Sequence, residues 1–113
     1  MTLAVIDDLM FRSKLETALE GRVVVVATLE ALREQLCEPT WTRMVVDLHC
    51  SSIDPIEAIR LLRTERPGLP VIAYGSHVDV ARRQQAVAAG CQDVLARSEF
   101  VQRIAAWASE SCA

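Results

Sequence analysis

Three aspartates stand where apolar runs stop. Asp7 and Asp8 close "TLAVIDD", and Asp47 closes the first part of "RMVVDLHC". A carboxylate in such a place can be a reactive group, a metal ligand, or the cap of a helix that follows a strand. For one aspartate alone the cap or turn is the simplest reading, because turn chemistry favours Asp. Acids at the ends of two strands shift the balance if those strands are neighbours. Adjacent like charges are unfavourable unless a proton or a cation neutralises them, and an all-oxygen cluster suits a hard divalent ion such as Mg²⁺.

Whether the acids meet depends on the elements that carry them. Apolar runs of strand length alternate with amphipathic stretches of helix length, the pattern of βα units around a parallel sheet. Five such units are predicted. A strand over 3–6 leads into a helix over about 9–20, with Phe11, Leu15, Ala18 and Leu19 on one face and Gly21 as its stop. The unbroken valines of 23–26 predict a second strand covered on both faces. Thr28 is placed to cap a helix that carries Leu29, Leu32 and Leu36 and ends before Pro39.

The third strand is 44–46, and "DPIE", Asp54 to Glu57, then reads as a capping box with proline at the first helical position. The helix it opens presents Ile56, Ile59 and Leu62 to the sheet. A strand over 71–74, a helix over 78–89 stopped by Gly90, a short strand over 93–96 and a last helix capped by Ser98 complete the chain. That last helix bears Phe100, Ile104 and Trp107. No linker or repeat interrupts the series, so residues 1–113 are expected to form one domain.

Parallel strands point one way, and the residues that end them share one edge of the sheet. In a doubly wound five-stranded sheet of order 2-1-3-4-5 the first and third strands lie side by side, where the connections reverse and leave a crevice. Asp7, Asp8 and Asp47 would share that crevice, which favours a functional acidic pocket over three unrelated caps.

Bulk properties agree with such a domain. A chain of 113 residues buries roughly two-thirds of its unfolded surface. Hydrophobic residues are 51% but aromatics only 4%, so the core must be built from Val, Leu, Ile and Ala. A net charge of -3 and the lack of a basic run argue against nucleic acid as a partner. Cys37, Cys50, Cys91 and Cys112 are scattered without metal-site spacing and read as free thiols in a reducing compartment. The acids in the first ten residues stand where a signal peptide needs an apolar stretch, and no window reaches membrane-spanning length. The expectation is a soluble, cytoplasmic protein with no membrane partner.

With these residues in place the chain resembles the receiver domain of two-component response regulators, over nearly its whole length. "VIDD" looks like the family's paired acids at the end of the first strand, and "VVD" like the strand that ends in its phosphoacceptor. "LPVIAYG" is similar to the fourth strand, and "AAGCQDVLAR" to the segment that runs into the fifth. The resemblance implies a flavodoxin-like fold, a signalling role rather than an enzymatic one, and transfer of a phosphoryl group from a histidine kinase or phosphotransfer protein to Asp47. It further implies Mg²⁺ held by Asp7 or Asp8, Asp47 and the backbone carbonyl of His49. The metal and a fixed cation would spread the charge of the transferring group, and the carboxylate is an adequate nucleophile.

The chain also departs from the family's pattern. The fourth strand ends there in Ser or Thr, whose hydroxyl closes on the phosphoryl group; Gly75 stands here, followed by Ser76. The family's Lys-Pro is Arg97-Ser98, its aromatic switch position is Val94, and its proline four residues after the phosphoacceptor is Ser51, with Pro55 where a glycine is usual. Arginine binds phosphate bidentately but is planar and longer than lysine, so Arg97 is not an equivalent point charge. These departures describe an atypical or pseudo-receiver member.

Two rival chemistries are weaker. "DLHCSS" approaches the D-x-H-x-x-G signature of cobalamin-binding domains, but it follows the third strand rather than the first, ends in Ser52, and no Gly-Gly follows. Ser76, His77 and Asp79 could spell a hydrolytic triad, yet sequence neighbours rarely converge as one, and no G-x-S-x-G elbow exists. Ser76 or Asp79 as the cap of the fourth helix is simpler. His77 is expected at the acidic edge, and Cys50 beside it as a thiol open to oxidation.

Two functions follow. In the first, a stand-alone receiver accepts a phosphoryl group on Asp47 and passes the signal to another protein. In the second, a phosphorylation-independent pseudo-receiver serves as a protein-protein interaction module, with a homodimer through helices 4 and 5 as one form.

Overall fold

A computed structural model describes residues 1–38, 40–76 and 79–111. Five parallel strands, β1 (Thr2–Val5), β2 (Val23–Val25), β3 (Arg43–Asp47), β4 (Val71–Gly75) and β5 (Asp93–Ala96), alternate with five helices. These are α1 (Leu9–Ala18), α2 (Leu29–Leu36), α3 (Pro55–Glu65), α4 (Val80–Ala89) and α5 (Arg97–Ser111). The strands lie in the order β2-β1-β3-β4-β5, as the alternation predicts.

Strand residues alternate between two apolar layers, because successive side chains leave a strand on opposite faces. Leu3, Val5, Met44, Val46, Val71 and Ala73 pack with Leu32, Leu36, Ile56, Ile59, Leu62 and Ala86 from α2, α3 and α4. Ala4, Ile6, Val45, Ile72 and Tyr74 pack with Phe11, Leu15, Phe100, Ile104 and Trp107 from α1 and α5. Trp107 is 6% exposed and belongs to the core.

The element ends carry most of the corrections. β2 lies at the sheet edge, so Val23, Val24 and Val25 are only half-buried rather than covered on both faces. α1 stops at Ala18, short of the expected 20, because Glu20 already adopts a left-handed φ of 53° ahead of Gly21 at 78°. Thr28 caps α2 as expected, its Oγ1 accepting from Ala31 N–H at 3.0 Å. Asp54 caps α3, but the expected capping box is half made: Glu57 turns outward to Arg60 at 2.8 Å instead of reaching back.

Asp79, not Ser76, caps α4 by accepting from Arg82 N–H at 3.1 Å, and Gly90 ends the helix at φ 114°. Ser98 does not cap α5. The helix begins one residue earlier, and the Glu99 carboxylate reaches back to Ala96 N–H at 3.0 Å. Pro39, His77, Val78 and Cys112, which enter the sequence expectations, lie outside the described residues. Cys37, Cys50 and Cys91 are unpaired thiols. Among the described residues no helix is long and apolar enough to cross a membrane.

Candidate functional site

The register of β1, β3 and β4 assembles the acidic edge. Val5 pairs with Val46 across β1 and β3, so the next residues of β1 run out beside Asp47. Asp47 in turn pairs with Tyr74 across β3 and β4. Two residues on from Val45, Asp47 projects on the α1 and α5 face, the same face as Tyr74.

Asp47 is 2% exposed, a buried carboxylate at the end of an apolar strand. Its Oδ1 accepts from His49 N–H at 2.8 Å. Burial pushes its pKa above the ordinary carboxylate value, and the negative charge of Asp7 pushes the same way. The His49 N–H and the positive charge of Arg97 oppose them. Asp7 is exposed and clasped by Ser51: its Oδ2 accepts from Ser51 Oγ at 2.7 Å and from Ser51 N–H at 2.9 Å. Those two bonds hold its pKa below the usual range. Asp8 serves as the N-cap of α1, accepting from Met10 N–H at 3.0 Å and Phe11 N–H at 3.4 Å.

The remaining sequence-predicted residues surround this edge. Arg97, exposed at the start of α5, stands 5.6 Å from the Phe11 ring centroid and supplies the positive charge felt by Asp47. His49 folds its imidazole against Gly75, where Nε2 accepts from Ser76 N–H at 3.3 Å. A Cβ on Gly75 would lie 3.2 Å from Leu48 Cβ and 3.4 Å from the His49 ring, so the ring borders the space that a side chain there would take. Asp79 is committed to the α4 cap, and His77, on which the suggested triad turns, lies outside the described residues. Cys50 is 7% exposed with Sγ 3.3 Å from Ser52 Oγ, and so is not a surface thiol.

Tyr74 is the residue that sequence reasoning missed. It is fully buried, and its hydroxyl has no hydrogen bond of ordinary geometry although the Asp47 carboxylate is beside it. Leaving a buried hydroxyl unsatisfied costs about 1–3 kcal/mol. The signal was present in the parity of β4: an aromatic with a polar tip, one residue before Gly75, on the face that Asp47 shares.

The donor chemistry fits a hard divalent cation, since it is all oxygen and the Asp7–Asp47 repulsion would be relieved by positive charge. The cage is not ready-made: among the described residues no three His, Cys, Asp or Glu side chains converge as metal ligands. Ser51 holds Asp7, and Asp8 is turned to the helix end.

Comparison with known proteins identifies the fold and the family. No curated protein matches the chain in sequence. Among solved structures the chain is similar to the receiver domain of the sensor histidine kinase PA1611 from Pseudomonas aeruginosa PAO1, described with a magnesium ion coordinated in the active site cleft. The identity is 21%, the TM-score 0.73, and 96% of each chain is covered. It is likewise similar to the receiver domain of NtrX from Brucella abortus, at 15% identity and TM-score 0.79, covering 98% of this chain and 97% of that one. A third is the beryllofluoride-activated NtrC4 receiver domain dimer, at 21% identity and TM-score 0.73 over 97% of each chain. At these identities the likeness shows the fold. The profile of the response regulator receiver domain matches residues 3–107, nearly the whole chain, and the protein belongs to that family.

Proposed function

We propose that this domain is an atypical receiver of a phosphorelay, with Asp47 as its phosphoacceptor. The observation that carries the reading is a buried carboxylate at the end of β3, anchored through one oxygen by His49 N–H, with Arg97 as the nearby cation. The free oxygen of Asp47 forms the new O–P bond while the N–P bond of a phosphohistidine on a kinase or phosphotransfer protein breaks, the imidazole leaving with the electron pair. The raised pKa of Asp47 makes its carboxylate more basic than an exposed one and so a better nucleophile. Arg97 would meet the incoming negative charge, and Ser76, one position past Gly75, is the next candidate hydroxyl along the chain.

Mg²⁺ would be held by Asp7 or Asp8, Asp47 and the His49 carbonyl, and when bound it supplies charge neutralisation for the transferring group. The magnesium described in the PA1611 receiver supports this choice of ion. Ser51 engages only Oδ2 of Asp7 and His49 N–H only Oδ1 of Asp47, so each carboxylate would have its other oxygen to offer the ion.

A second reading rests on a different surface. Val80 and Val87 of α4 are 56% and 59% exposed, and with Val94 they line an apolar groove of about 420 Å³. A module that binds partners through this face without phosphorylation, or pairs with itself there, fits that exposure. The NtrC4 receiver dimer supports self-pairing as one form.

Incubation with phosphoramidate and Mg²⁺, followed by intact mass, separates the two. The expected result is an adduct of one phosphoryl group that is absent in Asp47→Asn. Long exposure without an adduct rejects the phosphoacceptor in favour of the interaction module.

A further inference from the structure

The Tyr74 hydroxyl is buried and makes no hydrogen bond of ordinary geometry, although it lies close enough to the Asp47 carboxylate to interact with it. The ring stacks on Phe100 at 4.2 Å and 9°, and meets Phe11 at 4.9 Å. Its strand pairing sets it directly across from Asp47 on the same sheet face. The charges that reach the hydroxyl are those of the pocket: Asp47 and Asp8 on the negative side, Arg97 on the positive side. The hydroxyl thus offers one desolvated donor to a pocket rich in acceptors. Meanwhile Gly75 leaves the strand end without a hydroxyl, and the His49 ring borders its side-chain space.

We propose that Tyr74 is a positioning residue of the phosphorylated state, its hydroxyl donating to an oxygen of the acyl phosphate on Asp47 in place of the side chain that Gly75 lacks. This rests on Asp47 being the phosphoacceptor. Phosphorylation brings three further acceptor oxygens to a donor that has already lost its water. The donor is fixed by the aromatic stack, so little ordering is needed to form the bond. Phenylalanine would fill the same space without the oxygen, which makes Tyr74→Phe a test of the hydroxyl alone.

The experiment labels wild type and Tyr74→Phe with phosphoramidate and Mg²⁺, removes the donor, and follows loss of the adduct by intact mass. Both proteins are expected to take the label, and the variant adduct is expected to decay about tenfold faster, equivalent to about 1.4 kcal/mol. Unlabelled Tyr74→Phe should be as stable as wild type or more so. Equal adduct lifetimes overturn the proposal, and so does a loss of stability in the unlabelled variant, since that would mean the hydroxyl is already bonded. If neither protein takes the label, the phosphoacceptor reading falls and this one with it.

A second measurement needs no variant. Tyr74 is the chain's one tyrosine, so ring-¹³C tyrosine gives a single phenolic-carbon signal. Beryllofluoride with Mg²⁺ is expected to shift that signal, and an unmoved signal on a protein that binds beryllofluoride overturns the proposal.

Discussion

At the scale of the residue, the Asp7–Ser51 clasp shows how one departure from a family pattern rewires a site. Proline has neither the N–H nor the hydroxyl that Ser51 gives to Asp7. In Ser51→Ala the Oγ bond goes and the N–H bond stays, so the Asp7 pKa is expected to rise toward its ordinary value of 3.8, as read by carboxyl NMR. Removing the Oγ bond should also tighten Mg²⁺ binding measured by calorimetry, because less of the Asp7 charge is then drawn toward Ser51. Gly75 and His49 form a second coupled pair. Gly75→Ser places a Cβ against the imidazole and Leu48, at an expected cost of about 1 kcal/mol in urea unfolding. His49→Ala should recover part of that loss, so a double-mutant cycle is expected to show coupling.

The acids were legible because a carboxylate that closes an apolar strand breaks the local pattern. Tyr74 was not, since inside an apolar strand a tyrosine reads as core. Its meaning depends on which residue lies across from it and on whether its oxygen finds a partner. The role of Ser51 was hidden for a similar reason: its partner Asp7 is 44 positions away.

At the scale of the element, alternation and caps fixed the outcome. The order of the five strands follows from short βα connections and the doubly wound rule, and it emerges as expected. Helix starts were readable where a single side chain makes the cap, as at Thr28 and Asp54. They failed at α5, where Glu99 within the first turn does the work expected of Ser98. The half-buried state of β2 escaped for another reason. Consecutive valines show that a strand is apolar, but only the sheet order shows that it lies at an edge.

The α4 stop is the element whose failure would be felt most widely. Gly90 has φ 114°, and a Cβ there would lie 2.7 Å from Arg63 Cγ. Arg63 itself donates to Gly90, Pro67 and Leu69 carbonyls, tying α3 to the turns beside it. Gly90→Ala is expected to cost about 1–2 kcal/mol from the left-handed backbone alone, and more from the contact, as a lower urea midpoint. Thr28→Ala, a simple cap loss, should cost about 1 kcal/mol.

At the scale of the whole molecule, the two acids bend the pH dependence of stability in opposite senses. Asp47 has a raised pKa, so its contribution is fully present below the unfolded value of 3.8 and is lost as pH rises through its folded value. Asp7 has a lowered pKa, so its contribution is present above 3.8 and lost as pH falls through its folded value; its exposure keeps that contribution small. Asp47→Asn is therefore expected to melt higher than wild type at neutral pH, with the gap closing below 3.8. A thermal melt series across that range checks it. The destabilising carboxylate is retained at the place where the chemistry is proposed, a trade of stability for function.

The ring column beneath the sheet has an optical consequence. Tyr74 stacks on Phe100, Phe100 meets Trp107 edge-on at 6.1 Å, and Arg43 from the start of β3 lies 4.3 Å over the indole. The column thus joins the two rims of the layer, and its far end is a fluorophore. A change at the lone phenol is expected to reach, through the Phe100 ring, an emitter whose colour responds to the guanidinium above it. In a Trp41→Phe background the domain becomes its own dye-free gauge of what happens at the opposite rim.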